Sequence, residues 1–241
     1  MRKEPFWDTT FSSEKRAKAL EMIDAEIPKI SIQFSYLLLG DIKNKKLLEI
    51  GCGTGYQIIY FAAKGAQVTA IDISAESVNA TKALCKKENI KDTEIKQMDA
   101  QSLQFKDNTF DRIYINKVLL HTDKDKVISE SLRVLKKDGL IVFTEMLKNW
   151  IFAFPYRTFS PYRKSKPNYI TLKEVKTMAK KHKEFYLFST FFLFLFYLPL
   201  PGSARIGYFL FNTLELLDSL LLQTFPFLKK YAWITVAALG K

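Results

Sequence analysis

The stretch Leu47–Tyr56, LLEIGCGTGY, sets three glycines within five residues directly behind an apolar run. A short apolar run that ends in glycines and gives way to a helical pattern at Tyr56 predicts a strand, a tight loop and a helix. Glycine enters left-handed backbone without steric penalty, and its missing side chain lets a ligand approach the main chain. The dinucleotide pattern G-x-G-x-x-G is not met. Gly51 and Gly53 fit it, but its third position falls on Tyr56, with Gly55 one place early. The phosphate-loop pattern fails as well, because no Gly-Lys-Ser/Thr follows. What stands is Glu49, Gly51, Gly53 and Gly55 at alternate positions, then Asp72 at the end of the next apolar run.

Beyond this loop, apolar runs alternate with helical stretches. Strands are expected at KLLEIG, QVTAIDI, TEIKQMDA, FDRIYINKV, LIVFTEM and, at the end, YAWITVAALGK. Helices are expected over about 13–39 with Ser13 as N-cap, over Tyr56–Lys64, and after an N-cap at Ser74. Another covers KVISESLRVLKKDG, stopped by Gly139, and one begins at the capping box of Thr171 and Glu174. This alternation predicts an α/β domain whose parallel sheet has helices on both faces. A chain of 241 residues, 48% of them apolar, can bury one such core. The two cysteines, Cys52 and Cys85, have neither metal-ligand nor redox spacing, and no metal is expected. The N-terminal stretch lacks the apolar core of a signal peptide, so a reducing, cytoplasmic setting is the expectation.

The glycine loop, with an acid at its mouth and another ending the next strand, resembles that of class I S-adenosylmethionine-dependent methyltransferases. Two further motifs follow in order. QMDAQSLQF resembles the family's adenine-binding stretch, and RVLKKDGLIVF its Arg-Val-Leu-Lys-Pro-Gly-Gly turn, with Lys137-Asp138-Gly139 in place of Pro-Gly-Gly. The resemblance runs through about Lys46–Met146. It implies a Rossmann-like three-layer αβα sandwich: a seven-stranded, mostly parallel sheet with an antiparallel last strand. Plain members of the family join their last two strands by a short hairpin; here the sequence instead places an apolar helical insertion near the C-terminus. The resemblance also implies S-adenosylmethionine as cofactor. By that resemblance Glu49 lies near the methionine moiety and Gly51, Cys52, Gly53 and Gly55 contact the cofactor. Asp72 accepts from the ribose hydroxyls, Asp99 and Ala100 meet the adenine, and Ile73 and Asn116 complete the set. An acid suits a sulfonium better than a lysine would.

Methyl transfer requires alignment and exclusion of water, and a general base only where the nucleophile loses a proton. His121, following the strand FDRIYIN, is the candidate base; a purely structural His121 is the alternative. His182 sits in a lysine-rich stretch and is the poorer choice. Family members acting on exocyclic amines or amides typically carry Asn/Asp-Pro-Pro-Tyr/Phe after this strand. Ile115-Asn116-Lys117-Val118 lacks the proline and aromatic, which favours O- or C-methylation.

The chain divides into a helical cover (1–45), a cofactor-binding core (46–146), a substrate-side connection (147–170) and an apolar cap (185–230) before the last strand. Phe185–Ala204 has twenty residues without a charge, but prolines and a glycine near its end argue against a spanning helix. In the following helix Ile206, Phe209, Leu210, Leu214, Leu217, Leu220 and Leu221 share one face, with Asn212, Glu215, Asp218 and Ser219 opposite. Of the net charge of +12, +9 lies in residues 145–241. Lipid or apolar small-molecule acceptors, contact with the inner face of a membrane, and a homodimer all fit an apolar cap bordered by lysines. An RNA methyltransferase using the basic C-terminal part and a non-catalytic cofactor-binding scaffold are the alternatives. Nucleic acid is disfavoured, because the bases border phenylalanines and leucines rather than a polar groove.

Overall fold

The computed structural model describes residues 29–150, 167–180, 182, 185–190 and 216–241. Helix α1 (Lys29–Leu39) precedes β1 (Lys46–Ile50), α2 (Tyr56–Ala63), β2 (Gln67–Asp72), α3 (Ala75–Lys87), β3 (Glu94–Gln97) and β4 (Phe110–Asn116). A 3-10 turn (Leu119–His121), α4 (Lys124–Val134), β5 (Leu135–Met146), α5 (Leu172–Ala179) and β6 (Phe185–Thr190) follow. Helix α6 (216–224), a second 3-10 turn (Pro226–Tyr231) and β7 (Ile234–Gly240) close the chain.

The seven strands form one sheet in the order β3-β2-β1-β4-β5-β7-β6. Strands β3 to β5 run parallel, and β7 pairs antiparallel with both β5 and β6. The fold expected from the sequence is the one observed. Central strands are apolar at nearly every position because helices cover both faces. Along β1, Leu48 and Ile50 turn to the side of α4 and α5, where Val127, Ile128 and Val175 pack. Leu47 turns to the side of α1 and α2, against Leu39, Ile58 and Phe61. The chain reverses order between β3 and β4, so β1 and β4 lie side by side with their carboxyl ends at one edge. In open α/β sheets that crevice is where ligands bind.

Local signals set the helix starts. Ser74 caps α3 by accepting from the Ser77 amide, and Thr171 and Glu174 form both bonds of the expected capping box on α5. Lys124 of α4, almost fully buried, reaches Glu174 at 3.4 Å and so ties the two helices together.

One local expectation is corrected. Helix α4 ends at Val134 rather than at Gly139. Strand β5 has begun by Leu135, and its pairing with β4 slips between Phe110–Leu135 and Arg112–Leu140, which pushes residues 136–139 out as a bulge. Gly139 serves the bulge: a Cβ there would stand 2.6 Å from the Leu135 side chain. In α6 the structure decides which side meets the domain, a choice the two faces read from the sequence leave open. Leu217 and Leu220 are half exposed, whereas Asp218 is fully buried and Leu222 makes the core contact. Ser13 and residues 13–28 of the expected first helix, most of the 147–170 connection, and Ile206, Phe209, Leu210, Asn212, Leu214 and Glu215 lie outside the described residues.

Candidate active site

The loop after β1 is shaped by its glycines. Gly51, Gly53 and Gly55 all have positive φ, at 78°, 55° and 84°. At Gly51 a side chain is excluded twice over, because a Cβ would also lie 2.3 Å from Cγ2 of Val118. Gly55 is the N-cap of α2, and a Cβ there would meet Thr81 of α3 at 2.9 Å. The buried Thr81 hydroxyl in turn donates to the Gly53 carbonyl at 3.1 Å and to Cys52 Sγ at 3.4 Å.

Asp72, the last residue of β2, spans the neighbouring loops. Its Oδ2 accepts from the Gly53 amide at 2.9 Å and its Oδ1 from the Ser74 amide at 3.0 Å. The next loop is tied in by the Met98 amide, which donates to the Asp72 carbonyl, and by the Gln97 side-chain amide, which donates to the Ile73 carbonyl. Asp99 is exposed and accepts from the Gln101 amide at 2.8 Å; Ala100 behind it is buried. Glu130 and Arg133 of α4 clamp the far side of this loop: Glu130 accepts from the Leu103 amide, and Arg133 donates to the Leu103 and Phe105 carbonyls. Glu49, the glycines, Cys52, Asp72, Ile73, Asp99, Ala100 and Asn116 thus stand along the carboxyl ends of β1, β2, β3 and β4.

Beneath the loop, Glu49 is 2% exposed and opposite Tyr114 of β4 in register. Burial, with the Asp72 charge adding to it, holds its carboxyl well above the usual carboxylate range. The same surroundings push the Cys52 thiol up, which makes it an inert filler of the loop. Glu49 Oε2 and Asn116 Oδ1 are buried and have no hydrogen-bond partner among the described residues. Both are acceptors. A buried acceptor without a donor is costly, roughly 1–3 kcal/mol, so a pair of them beside a bare loop calls for a cationic or N–H-bearing ligand.

His121 ends the 3-10 turn after β4, its amide bonded to the Val118 carbonyl. That turn is held from below by a residue the sequence did not single out. Glu145 on β5 is fully buried, and its Oε1 accepts from the Leu119 amide at 2.6 Å. Burial raises its pKa to about 8, against the opposing pull of the backbone N–H groups of Leu119, Leu120 and Val118 and the charge of Lys117. A carboxylate inside the apolar run LIVFTEM is the sequence signal that would have found it. Lys117 starts the turn at φ 56°, a left-handed conformation rare for a lysine. The turn lies against the glycine loop through Val118 and Gly51. Its residues are therefore placed to face whatever the loop holds.

Comparison with known proteins gives this geometry relatives. Residues 48–143 match the family described as "Methyltransferase domain". A fatty-acid O-methyltransferase of Mycolicibacterium smegmatis is 31% identical over 125 residues, 50% of this chain and 44% of that protein. A norajmaline N-methyltransferase of Rauvolfia serpentina is 30% identical over 169 residues, 67% of this chain and 53% of that protein. The chain spans about half the length of the curated relatives it matches. Among solved structures, phosphoethanolamine N-methyltransferase 2 of Haemonchus contortus, in complex with S-adenosyl-L-methionine, superposes with a TM-score of 0.71 at 19% identity. That match covers 98% of this chain and 59% of the other.

Two outcomes are expected. Gly51→Ala destabilises the chain by about 1–2 kcal/mol from its backbone conformation alone, plus the clash with Val118. Adding Val118→Ala removes the clash and recovers part of the loss in a urea titration; no recovery would mean that Val118 does not press on the loop. For Glu145, the unfolded carboxyl titrates near 4.5 and the folded one near 8. Between those values the folded chain keeps a proton that the unfolded chain has released, so stability falls as pH rises from about 4.5 to about 8. Glu145→Gln should flatten that part of the stability–pH profile, and an unchanged profile would contradict the assignment.

Proposed function

We propose that this chain, a member of the class I S-adenosylmethionine-dependent methyltransferase family, transfers a methyl group from S-adenosylmethionine to an oxygen or carbon of a small, apolar, lipid-like acceptor. The observation that carries the donor half is the pair of buried, unpartnered acceptors, Glu49 Oε2 and Asn116 Oδ1, beside a loop of three left-handed glycines. The amino-acid moiety of S-adenosylmethionine has an ammonium that such acceptors suit, and its sulfonium adds a second positive charge. Asp72, at the end of β2 beside the glycine loop, would hold the ribose hydroxyls. Ile73, Asp99 and Ala100 would border the adenine, and Gly51, Cys52, Gly53 and Gly55 would allow close main-chain approach.

When bound, S-adenosylmethionine supplies a methyl carbon already activated for in-line displacement. The chain's own contribution is placement and exclusion of water. Core 46–146 would hold the donor, and the turn Lys117–His121 would face the acceptor. With a hydroxyl acceptor, His121 would take its proton as the new carbon–oxygen bond forms. Glu145 is a positioning residue in this scheme, since it fixes the turn that carries His121. Support for an apolar acceptor comes from the phenylalanine- and leucine-rich segment before β7 and from the fatty-acid O-methyltransferase relative.

Incubating the purified chain with methyl-labelled donor and a fractionated cell extract tests this function. Label is expected in the organic-solvent fraction, and to fall at least tenfold with His121→Ala where the product is an ether or ester. Label confined to RNA or protein would overturn the acceptor class, and no transfer to any fraction would overturn the enzymatic reading.

A further inference from the structure

We infer that residues 216–230 form a face that docks the protein onto an anionic phospholipid bilayer, at the same sheet edge as the candidate site. Helix α6 turns Leu222 and Asp218 inward, both buried. Outward it presents Leu216, Leu217 and Leu220, at 61%, 50% and 51% exposure. These positions fall within one arc of the helix surface, opposite Asp218 and Leu222. Phe225 and Phe227 extend the patch onto the 3-10 turn, exposed by 45% and 64%, their rings 6.1 Å apart. Among the described residues, the only other large apolar side chains so exposed are Leu37 and Tyr56, which stand apart in the sequence. Scattered exposed leucines are ordinary on a soluble surface, but five such side chains within twelve residues are not.

The charge beside this patch selects the occupant. Lys229 and Lys230 follow directly on the 3-10 turn, and Lys230 carries its ammonium 4.7 Å from the Tyr231 ring centre. The acid within the described part of α6, Asp218, is turned into the core, so these residues of the helix offer no carboxylate outward. Residues 145–241 carry fourteen bases against five acids. Leucines and phenylalanines edged by lysines, with the acid withdrawn, match the boundary between acyl chains and anionic headgroups. Helix α6 keeps Asp218 and Leu222 in the core, so the contact inferred is an interfacial one; no helix among the described residues is long and apolar enough to cross a membrane.

The face is placed where a lipid acceptor would need it. The 3-10 turn leads through Trp233 into β7, whose first residue, Ile234, pairs with Met146 at the carboxyl end of β5. The Leu147 amide bonds to the Trp233 carbonyl at 2.8 Å. One residue before Met146, Glu145 holds the turn that carries His121. A bilayer under residues 216–230 therefore lies at the edge where the acceptor turn opens. Delivery of a lipid acceptor rests on the proposed function; docking itself does not.

Flotation with liposomes tests the docking. Wild-type protein is expected to float with vesicles of 70% phosphatidylcholine and 30% phosphatidylglycerol, and at least tenfold less with pure phosphatidylcholine. Raising salt should weaken the binding, since headgroup attraction is screened over about 10 Å at 0.1 M. L217S/L220S/F227S should lose at least tenfold in vesicle affinity while keeping the wild-type circular dichroism melt and donor binding. K229E/K230E should remove the preference for anionic vesicles. Wild-type protein that stays in the soluble fraction with anionic vesicles at low salt overturns the inference, whatever the variants do. So does a wild-type dimer in light scattering that L217S/L220S/F227S splits, because the face would then belong to a second copy. Docking without methyl transfer would leave the membrane face standing and count against the catalytic reading alone.

Discussion

The carboxylate of Asp72 locks a junction that the Gly51 and Cys52 amides begin by donating to the Ile71 carbonyl. One oxygen holds the Gly53 amide in the loop after β1, and the other holds the Ser74 amide at the start of α3. Backbone N–H groups turned toward a carboxylate form charge-assisted bonds, stronger than neutral ones and directional. The bridge fixes the loop in the left-handed conformation its glycines permit. Thr81 then completes the fixing from the other side, through the Gly53 carbonyl. The cradle is thus held by the chain's own hydrogen bonds.

Under that cradle the sheet stores an electrostatic imbalance. Glu49 is buried close to Asp72, and desolvation, with the Asp72 charge adding to it, holds its carboxyl well above the usual carboxylate range. Tyr114 beside it is pushed up as well, chiefly by burial, and bonds with the Ser35 hydroxyl of α1 at 3.3 Å. The imbalance is relieved by a cation and worsened by an anion. A phosphate-bearing dinucleotide would meet an acid where it needs positive potential. A ligand with an ammonium and a sulfonium would meet what it needs. Glu145 repeats the device on the opposite face of the sheet with a different end: there the buried carboxyl is bonded to backbone, and it builds a turn.

Much of this was legible in the sequence, because loop chemistry is local. The three glycines, the acid at Glu49, the acid at Asp72 and the cap at Ser74 each act within a few residues of where they stand. The capping box at Thr171 and Glu174 was legible for the same reason. Gly139 misled because a glycine behind a helical pattern usually stops the helix; here β5 starts first, and the glycine serves a bulge set by pairing with β4. For α6, periodicity reports that the helix has two sides but not which one meets the domain. A buried Asp218 could be read only from tertiary packing. Glu145 escaped notice because its partners, Leu119 and its neighbours, lie some 26 residues away.

Calorimetric titration with S-adenosylmethionine tests the central claim most directly, comparing the wild-type chain with Asp72→Ala. Saturable binding at one site is expected for the wild type. A loss of at least tenfold is expected for the variant, since removing a charged acceptor that holds buried donors costs about 1–3 kcal/mol. A wild-type chain that is folded yet gives no heat, or a variant that binds as tightly as the wild type, would contradict it.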